Sequence, residues 1–191
     1  MRVIAGTVRG TILKAGRGLG IRPTSDRVKE AIFNILGERV LNAVFLDLFA
    51  GTGALAIEAL SREAARATLV EFSRSGIEII KHNLNATSLA ERAEIAAVDV
   101  FGYIKKAANR GEKFDIIAAD PPYDRNIREE VEEISLAKRT LLAISENDIM
   151  RNGSILFIEH SVFEELMHKG ALEALSTRKY GSTAVSFFRK K

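Results

Sequence analysis

The sequence has 191 residues, of which 47% are hydrophobic, and a formal net charge of +3. This length and composition are typical of one globular domain with a substantial core. The chain contains no cysteine and only three scattered histidines, which excludes disulfides and thiolate chemistry and makes a metal site unexpected.

No apolar run approaches the roughly 20 residues that cross a bilayer, and the first residues lack the apolar core of a signal peptide. We therefore expect a cytoplasmic protein without a membrane or metal partner. The charge is unevenly distributed: residues 1–30 carry +5, residues 174–191 another +5, and the residues between them −7. Basic ends on an acidic body predict a surface that meets a polyanion, although solvated tails would show the same pattern.

At the N-terminus, residues 2–5 and 11–14 predict two short strands around a glycine-bounded turn, as a hairpin or an extended arm. Arg2, Arg9 and Lys14 on this arm would form a pliable basic surface able to follow a phosphate backbone. A flexible terminus that only keeps the protein in solution is the alternative.

The first predicted helix follows the segment Arg22-Pro-Thr-Ser-Asp26-Arg27, with Thr24 or Ser25 as its N-cap. Its expected apolar stripe consists of Val28, Ile32, Ile35 and Leu36. The side chains of Arg22, Thr24 and Arg27 could face a site at the helix start, but capping and surface charge explain them almost as well.

The segment Val44–Leu60 combines a buried apolar strand, a turn with two glycines and an immediate helix. This arrangement brings backbone N–H groups and the positive end of a helix close to a nucleotide-like ligand. Asp47, near the end of the strand, could meet a cationic ligand group. We expect a valine at Gly53 to block the ligand by occupying its space.

The second strand, residues 67–71, ends in Glu71, twenty residues beyond Gly51. That spacing suits a carboxylate that binds the ribose hydroxyls of an adenosine-type ligand, and Phe72 could pack on the purine. After a helix over residues 73–84, a third strand over residues 93–98 leads to Asp99 and Val100, which could bind the adenine amino group and ring nitrogen.

The fourth buried strand, residues 114–119, runs into Asp120-Pro-Pro-Tyr123. Consecutive prolines donate no N–H and leave carbonyl groups free as acceptors. An acid, free carbonyls and an aromatic ring at one strand end predict a receptor for a flat group that bears an amino group.

The remaining pattern predicts a helix over residues 127–143, a fifth strand over 154–159 and a short helix over 162–168. An antiparallel pair over residues 172–180 and 183–189 closes the chain. We expect one domain over residues 1–191, with a basic arm at 1–22 and a Rossmann-like core at 23–191.

Three functions fit parts of this pattern. Gly51, Gly53 and Ala56 with Glu71 also satisfy the dinucleotide fingerprint of an NAD-dependent oxidoreductase. That function leaves the motif at Asp120 unexplained and offers no second domain for a substrate. A catalytically inactive RNA-binding module would not need Asp120.

Taken together, the segment Asp47–Gly53, Glu71 and Asp120-Pro-Pro-Tyr123 resemble class I S-adenosylmethionine-dependent methyltransferases that act on amino groups. The motifs Arg2-Val-Ile-Ala-Gly6-x-x-Arg9-Gly10 and Arg22-Pro-Thr-Ser-Asp26-Arg27 are similar to the RsmD family. That family methylates the exocyclic N2 of a guanine in bacterial small-subunit (16S) ribosomal RNA. Another amino group, on a different nucleic-acid base or on a protein, stays open as the substrate.

The resemblance implies an α/β fold with a mostly parallel seven-stranded sheet, helices on both faces and an antiparallel last strand. It implies S-adenosyl-L-methionine as the cofactor, bound by Asp47, Phe49, Gly51, Gly53, Glu71, Phe72, Asp99 and Val100. The implied catalytic residues are Asp120, Pro121 and Tyr123, and the RNA-binding residues are Arg2, Arg9, Lys14, Arg22, Thr24 and Arg27. The partner would be ribosomal RNA or a partly assembled small subunit, bound by a monomer.

Overall fold

The computed structural model describes residues 1–16, 25–122, 134–166 and 170–191. Its helices are α1 (Asp26–Leu36), α2 (Ala54–Ser61), α3 (Arg74–Ala86), α4 (Val100–Asn109) and α5 (Leu136–Glu146). Its strands are β1 (Val44–Leu48), β2 (Arg66–Val70), β3 (Ala93–Ala96), β4 (Phe114–Ala119), β5 (Met150–Ser161), β6 (Leu172–Tyr180) and β7 (Thr183–Lys190). Short 3-10 turns cover Gly37–Val40 and Ala90–Arg92. None of the helices in these ranges is both long and apolar enough to span a bilayer.

The seven strands form one sheet in the order β3-β2-β1-β4-β5-β7-β6. β1 to β5 are mutually parallel, whereas β7 runs antiparallel to both β5 and β6. The predicted seven-stranded, mostly parallel sheet with an antiparallel last strand is therefore confirmed. β1 to β5 end at one edge of the sheet, the carboxyl edge, where ligands bind in open α/β sheets.

Helices cover both faces of this sheet, as predicted. Successive residues of a strand point to opposite faces, so β1 contributes Phe45 to one core and Leu46 to the other. The first core includes side chains from α1, α2 and α3, and the second includes side chains from α4 and α5. Burial on both faces explains why β1 is apolar at nearly every position.

The N-terminal arm is anchored rather than pliable over residues 1–16. Instead of two strands it has one antiparallel bridge between Arg2 and Ile12, flanked by backbone hydrogen bonds. Val3 and Leu13 are buried in the first core. Thr7 N–H donates to the Ser61 carbonyl over 2.8 Å, which fixes the turn of the arm against the end of α2.

The predicted apolar stripe of α1 is wrong at Ile35, which is exposed. Phe33 and Lys29 are buried on this helix instead. The N-cap is Ser25, whose hydroxyl accepts from Val28 N–H over 3.2 Å. The hydrophobic pattern does not predict the burial of Lys29, because that burial depends on a charged partner, Glu58, in another helix.

Several other boundaries differ from the prediction. β3 ends at Ala96, because Asp99 caps the next helix. α5 begins at Leu136, and the Ser135 hydroxyl caps it by accepting from Lys138 N–H. The predicted helix is therefore wrong at residues 134–135, and residues 127–133 lie outside the described ranges.

The short helix predicted over 162–168 is also wrong for its described residues, 162–166, which form a turn and an irregular segment. The Ser161 hydroxyl accepts from Phe163 N–H over 3.3 Å, and such local side-chain bonds compete with helix formation. β5 begins at Met150, four residues before its predicted start.

Candidate active site

Three carboxylates meet at the carboxyl edge. Leu48 of β1 pairs with Val70 of β2 on one side and with Ala119 of β4 on the other. Glu71 and Asp120 directly follow those two partners, so they flank the end of β1, which carries Asp47. The topology thus brings together the acids of three separate predicted strands.

Asp47 is the most deeply buried of the three, with 1% of its surface exposed. Its Oδ2 accepts from Ala56 N–H over 3.1 Å, whereas its Oδ1 has no hydrogen-bond partner among the described residues. Burial raises the pKa of Asp47 to about 8, and the charges of Asp120 and Glu71 add to the shift. A buried, unpaired carboxylate oxygen suits a cationic ligand group, because an ammonium would satisfy the oxygen and stabilise its charge.

Glu71 joins the second strand to the glycine turn. Its Oε2 accepts from Gly51 N–H over 3.0 Å, and its Oε1 accepts from Ser73 N–H over 2.8 Å. The carboxylate is therefore held in one orientation, with acceptor capacity left on both oxygens. Phe72 lies next to it with 78% of its surface exposed, so its ring is accessible for packing on a flat ligand.

The turn after β1 has a tightly constrained backbone. Phe49, Gly51 and Gly53 have φ values of 62°, 55° and 76°, a region that residues with a Cβ avoid. A Cβ at Gly53 would lie 3.0 Å from Leu69 Cδ2, inside the protein core. The expectation that a valine at Gly53 would occupy ligand space is therefore wrong: glycine is required there by the turn and the core packing.

Asp99 and Val100 lie at the start of α4. The Asp99 Oδ1 accepts from Gly102 N–H over 2.8 Å as the helix cap, and the rest of this side chain is exposed. The Val100 side chain is buried in the second core, so only its backbone is available to a ligand. Its N–H lies in the first helical turn, where amides lack intrahelical partners.

The predicted amine receptor follows β4. Asp120 is half-buried, and its N–H lies 3.5 Å from the Leu48 carbonyl, which extends the pairing of β4 with β1 by one residue. Pro121 is buried and Pro122 exposed. Tyr123 lies outside the described residues.

The structure separates the predicted RNA-binding residues. The arm runs along α2: the Thr52 hydroxyl donates to Met1 Sδ at the carboxyl edge, and Val8 N–H donates to Ser61 Oγ at the far end of the helix. Arg2 therefore lies near the carboxyl edge, whereas Arg9 lies near the opposite edge. Lys14 and Arg27 are exposed, and Arg22 and Thr24 lie outside the described residues.

The sequence analysis missed two residues that hold the arm in place. Glu58 of α2 accepts from Ile4 N–H and Ala5 N–H over 2.8 and 3.0 Å. Asn83 of α3 binds both the N–H and the carbonyl of Lys14, and also donates to the Thr52 carbonyl over 2.9 Å. The signal for Glu58 was present, because it is the single charge within an otherwise apolar helix.

Known proteins are similar to this chain over most of its length. The family described as Conserved hypothetical protein 95 matches residues 1–189. YlbH of Bacillus subtilis (strain 168) is 36% identical, with 100% of both chains covered. Ribosomal RNA small subunit methyltransferase D of Escherichia coli (strain K12) is 35% identical, with 85% of this chain and 75% of that protein covered. The chain belongs to the RsmD family.

Solved structures agree with the RsmD fold. The structure of yhhF from Escherichia coli matches with a TM-score of 0.81 at 28% identity, covering 100% of this chain and 98% of that one. SMU.776, solved in complex with S-adenosylhomocysteine, shares the fold at a TM-score of 0.67 and 20% identity, covering 89% of this chain and 50% of that one.

As a member of the RsmD family, the protein is a methyltransferase that uses S-adenosylmethionine. This decides against the NAD-dependent oxidoreductase. S-adenosylmethionine carries a sulfonium and an ammonium against one carboxylate, so its net charge suits the acidic edge.

Proposed function

We propose that the protein transfers a methyl group from S-adenosylmethionine to the exocyclic N2 of a guanine in small-subunit ribosomal RNA. The observation that carries the proposal is the position of Asp120, followed by two prolines, beside the end of β1, where Asp47 has a buried oxygen with no hydrogen-bond partner among the described residues. An amino-group receptor thus lies beside a site for a cationic cofactor. The small-subunit ribosomal RNA methyltransferase among the relatives supports the choice of substrate.

The cofactor residues bind different parts of S-adenosylmethionine. Asp47 Oδ1 accepts from the ammonium of the methionine part, next to the turn at Gly51 and Gly53, with Phe49 in the same turn. Glu71 accepts from the ribose hydroxyls with its remaining lone pairs. Asp99 and the Val100 N–H bind the adenine, and Phe72 covers it. When bound, S-adenosylmethionine supplies an electrophilic methyl group on its sulfonium.

Asp120 and Pro121 orient the nucleophile. The amino group of guanine is a poor nucleophile, because its lone pair is delocalised into the ring. The Asp120 carboxylate and the Pro121 carbonyl accept its two N–H bonds and aim the lone pair, while Tyr123 stacks on the base, which is worth about 1–3 kcal/mol. Positioning then supplies most of the rate, and the released proton passes to Asp120 or to water.

The organisation around this site belongs to the same proposal: a single domain over residues 1–191, whose arm binds RNA through Arg2 and Lys14. We propose a monomer that works in the cytoplasm, where ribosomal RNA is found, and that requires no metal. The alternative substrate, an amino group elsewhere on a nucleic acid or protein, uses the same receptor.

The deciding experiment is incubation with methyl-labelled S-adenosylmethionine and either unmodified small-subunit RNA or partly assembled subunits. Nucleoside analysis should place the label on N2-methylguanosine. Label on another base, or on protein with none in RNA, would overturn the substrate while leaving the methyltransferase activity intact. Comparing naked RNA with subunits identifies the preferred form of the substrate.

A further inference from the structure

An exposed aromatic ring lies on a rigid turn just beyond β5. Phe163 has 95% of its surface exposed, more than any other large hydrophobic residue in the described ranges. Its backbone is held on both sides: Phe163 N–H donates to Ser161 Oγ over 3.3 Å, and Glu164 N–H donates to the Ser161 carbonyl over 3.1 Å. The ring is thus presented to solvent by a fixed backbone.

This turn lies at the carboxyl edge, beside the amine receptor. β5 pairs with β4 so that Ile158 lies opposite Ala119, the residue before Asp120. Ser161 is three residues beyond Ile158. With about 3.3 Å per strand residue and about 4.8 Å between strands, Phe163 is on the order of 10 Å from Asp120.

Two unpaired cations share this part of the edge. Val162 N–H donates to the Ser182 carbonyl over 3.2 Å, which joins the turn to the hairpin between β6 and β7. Arg178 and Lys179 lie at the end of β6, next to that hairpin, and both are exposed. Neither forms an ion pair with any residue of the described ranges.

As consecutive residues of a strand, Arg178 and Lys179 point to opposite faces of the sheet. Arg178 pairs with Val185 of the first core, so Lys179 lies on the face of the second core. Leu166, at the end of the Phe163 turn, packs in that second core, so Lys179 is the cation on the side of Phe163.

The basic residues at the other end of the same hairpin behave differently. Arg189 Nη2 lies 2.6 Å from Glu173 Oε2, and Lys190 Nζ lies 3.8 Å from Asp148 Oδ1. Because β7 is antiparallel to β5, Arg189 and Lys190 lie at the edge opposite the site. The five C-terminal basic residues are therefore split, and only Arg178 and Lys179 offer uncompensated charge at the carboxyl edge.

From this arrangement we propose a second RNA-binding surface, made of Phe163 and Lys179. It binds the single-stranded nucleotides next to the target base: Phe163 stacks on one base, and Lys179 contacts a phosphate, which is the usual combination in sequence-tolerant binding of single strands. The inference rests on the proposed function. Along the carboxyl edge, the cofactor residues then lie at the ends of β1 to β3, the receptor follows β4, and the RNA contacts lie beyond β5.

Substitutions at Phe163 test the stacking. Phe163→Ala should weaken binding of a single-stranded RNA fragment that contains the target by about tenfold, as expected for the loss of one stacked base. Phe163→Trp should retain the affinity, and Phe163→Leu should lose it, because leucine has similar apolar bulk but no flat face. Leu175→Ala, at an exposed apolar residue elsewhere on β6, is the matched control. Fluorescence anisotropy measures RNA affinity, and calorimetry with S-adenosylhomocysteine should show unchanged cofactor affinity.

The charges are tested by salt dependence. Lys179→Ala should lower the slope of log affinity against log salt by up to about 0.7, the value for one phosphate contact, whereas Arg178→Ala, on the other face of the sheet, should leave it nearly unchanged. Arg189→Ala with Lys190→Ala should leave it unchanged. Glu165→Gln, which removes an exposed negative charge from the Phe163 turn, should raise the affinity.

Two outcomes separate this inference from the proposed function. If the unmodified protein methylates RNA, and the variants Phe163→Ala and Lys179→Ala bind RNA as tightly as it does, the second surface is refuted and the proposed function stands. If the unmodified protein neither binds nor methylates RNA, the proposed function fails with it.

Discussion

Asp120 accepts a hydrogen bond from the target amino group in the proposed function, so the shape and polarity of its side chain should matter separately. Asp120→Ala should reduce turnover about a hundredfold, by analogy with the roughly 3 kcal/mol lost with one oxyanion-hole donor. Asp120→Asn should be at least as damaging. It keeps the shape of the side chain but points an amide N–H donor at the target amino group, which is itself a donor. Single-turnover methyl transfer measures the rate. The affinity of both variants for S-adenosylhomocysteine should equal that of the unmodified protein.

Asp148→Asn is the matched control, since Asp148 is an exposed carboxylate at the opposite edge of the sheet, paired with Lys113. It should turn over normally. Near-normal transfer by Asp120→Asn would show that Asp120 only terminates the strand.

Asp47 should make cofactor binding depend on pH. Its pKa of about 8 means that the free protein carries a proton there at pH 6.5. An ammonium ligand requires the carboxylate, so binding should release about one proton, and affinity should rise about tenfold per pH unit until it levels off near pH 8. Calorimetry in two buffers of different ionisation enthalpy counts the proton. Asp47→Asn should weaken binding and abolish the proton release.

The same shift affects the stability of the free protein. A folded-state pKa raised from 3.8 to about 8 means that the folded protein binds more protons than the unfolded chain between these values. The stabilisation is fully present below about pH 3.8 and is lost as the pH rises through 8. The unfolding free energy of Asp47→Asn should lack this decline; an identical pH profile would contradict the raised pKa.

At the scale of elements, a buried ion pair joins the arm, α1 and α2. Lys29 Nζ lies 3.4 Å from Glu58 Oε2, with both side chains 0% exposed, and donates to the Arg2 carbonyl. Burial lowers the pKa of Lys29 despite the opposing attraction of Glu58. Glu58→Gln leaves that cation without its counter-charge, which should lower the unfolding free energy by about 3 kcal/mol, as for other broken buried pairs. Urea denaturation measures the loss.

Glu78→Gln is the matched control. Besides Lys29, Glu58 pairs with Arg62, four residues away, over 2.8 Å. Glu78 likewise pairs with an arginine four residues away, Arg74 at 3.3 Å, but on the exposed face of α3. Its loss should cost at most about 0.5 kcal/mol, because exposed pairs contribute little. Equal destabilisation by the two variants would show that burial of the Lys29–Glu58 pair is not what anchors the arm.

At the scale of the whole molecule, basic ends lie on an acidic body, and the fold decides which cations can reach the substrate. Arg2→Ala with Lys14→Ala should weaken RNA binding and lower its salt slope by up to about 1.4. Arg9→Ala should do far less, because the arm places Arg9 at the opposite edge. Cofactor affinity should barely move, since the backbone bonds of the arm remain. A full effect from Arg9→Ala would contradict this placement.

The sequence by itself determined the order of β1 to β4, the glycine turn and the acids at Asp47, Glu71, Asp99 and Asp120. These features are local: apolar runs, turn residues and caps act over a few neighbouring residues. The family motifs added the number of strands, the antiparallel last strand and the cofactor, whereas the order of the strands in the sheet came from the structure. Helix boundaries such as the start of α5 failed where a serine cap outweighed a continuing helical pattern.

Only the tertiary structure decided the remaining properties. The pKa of Asp47 and the core environment of Gly53 depend on strands that are adjacent in space but distant along the chain. The burial of Lys29 requires Glu58 in another helix. The antiparallel β7 separates Arg178 and Lys179 from Arg189 and Lys190, which composition had grouped together. In each case the energy of a charge or a methyl group is set by its neighbours in space, and a linear pattern does not contain them.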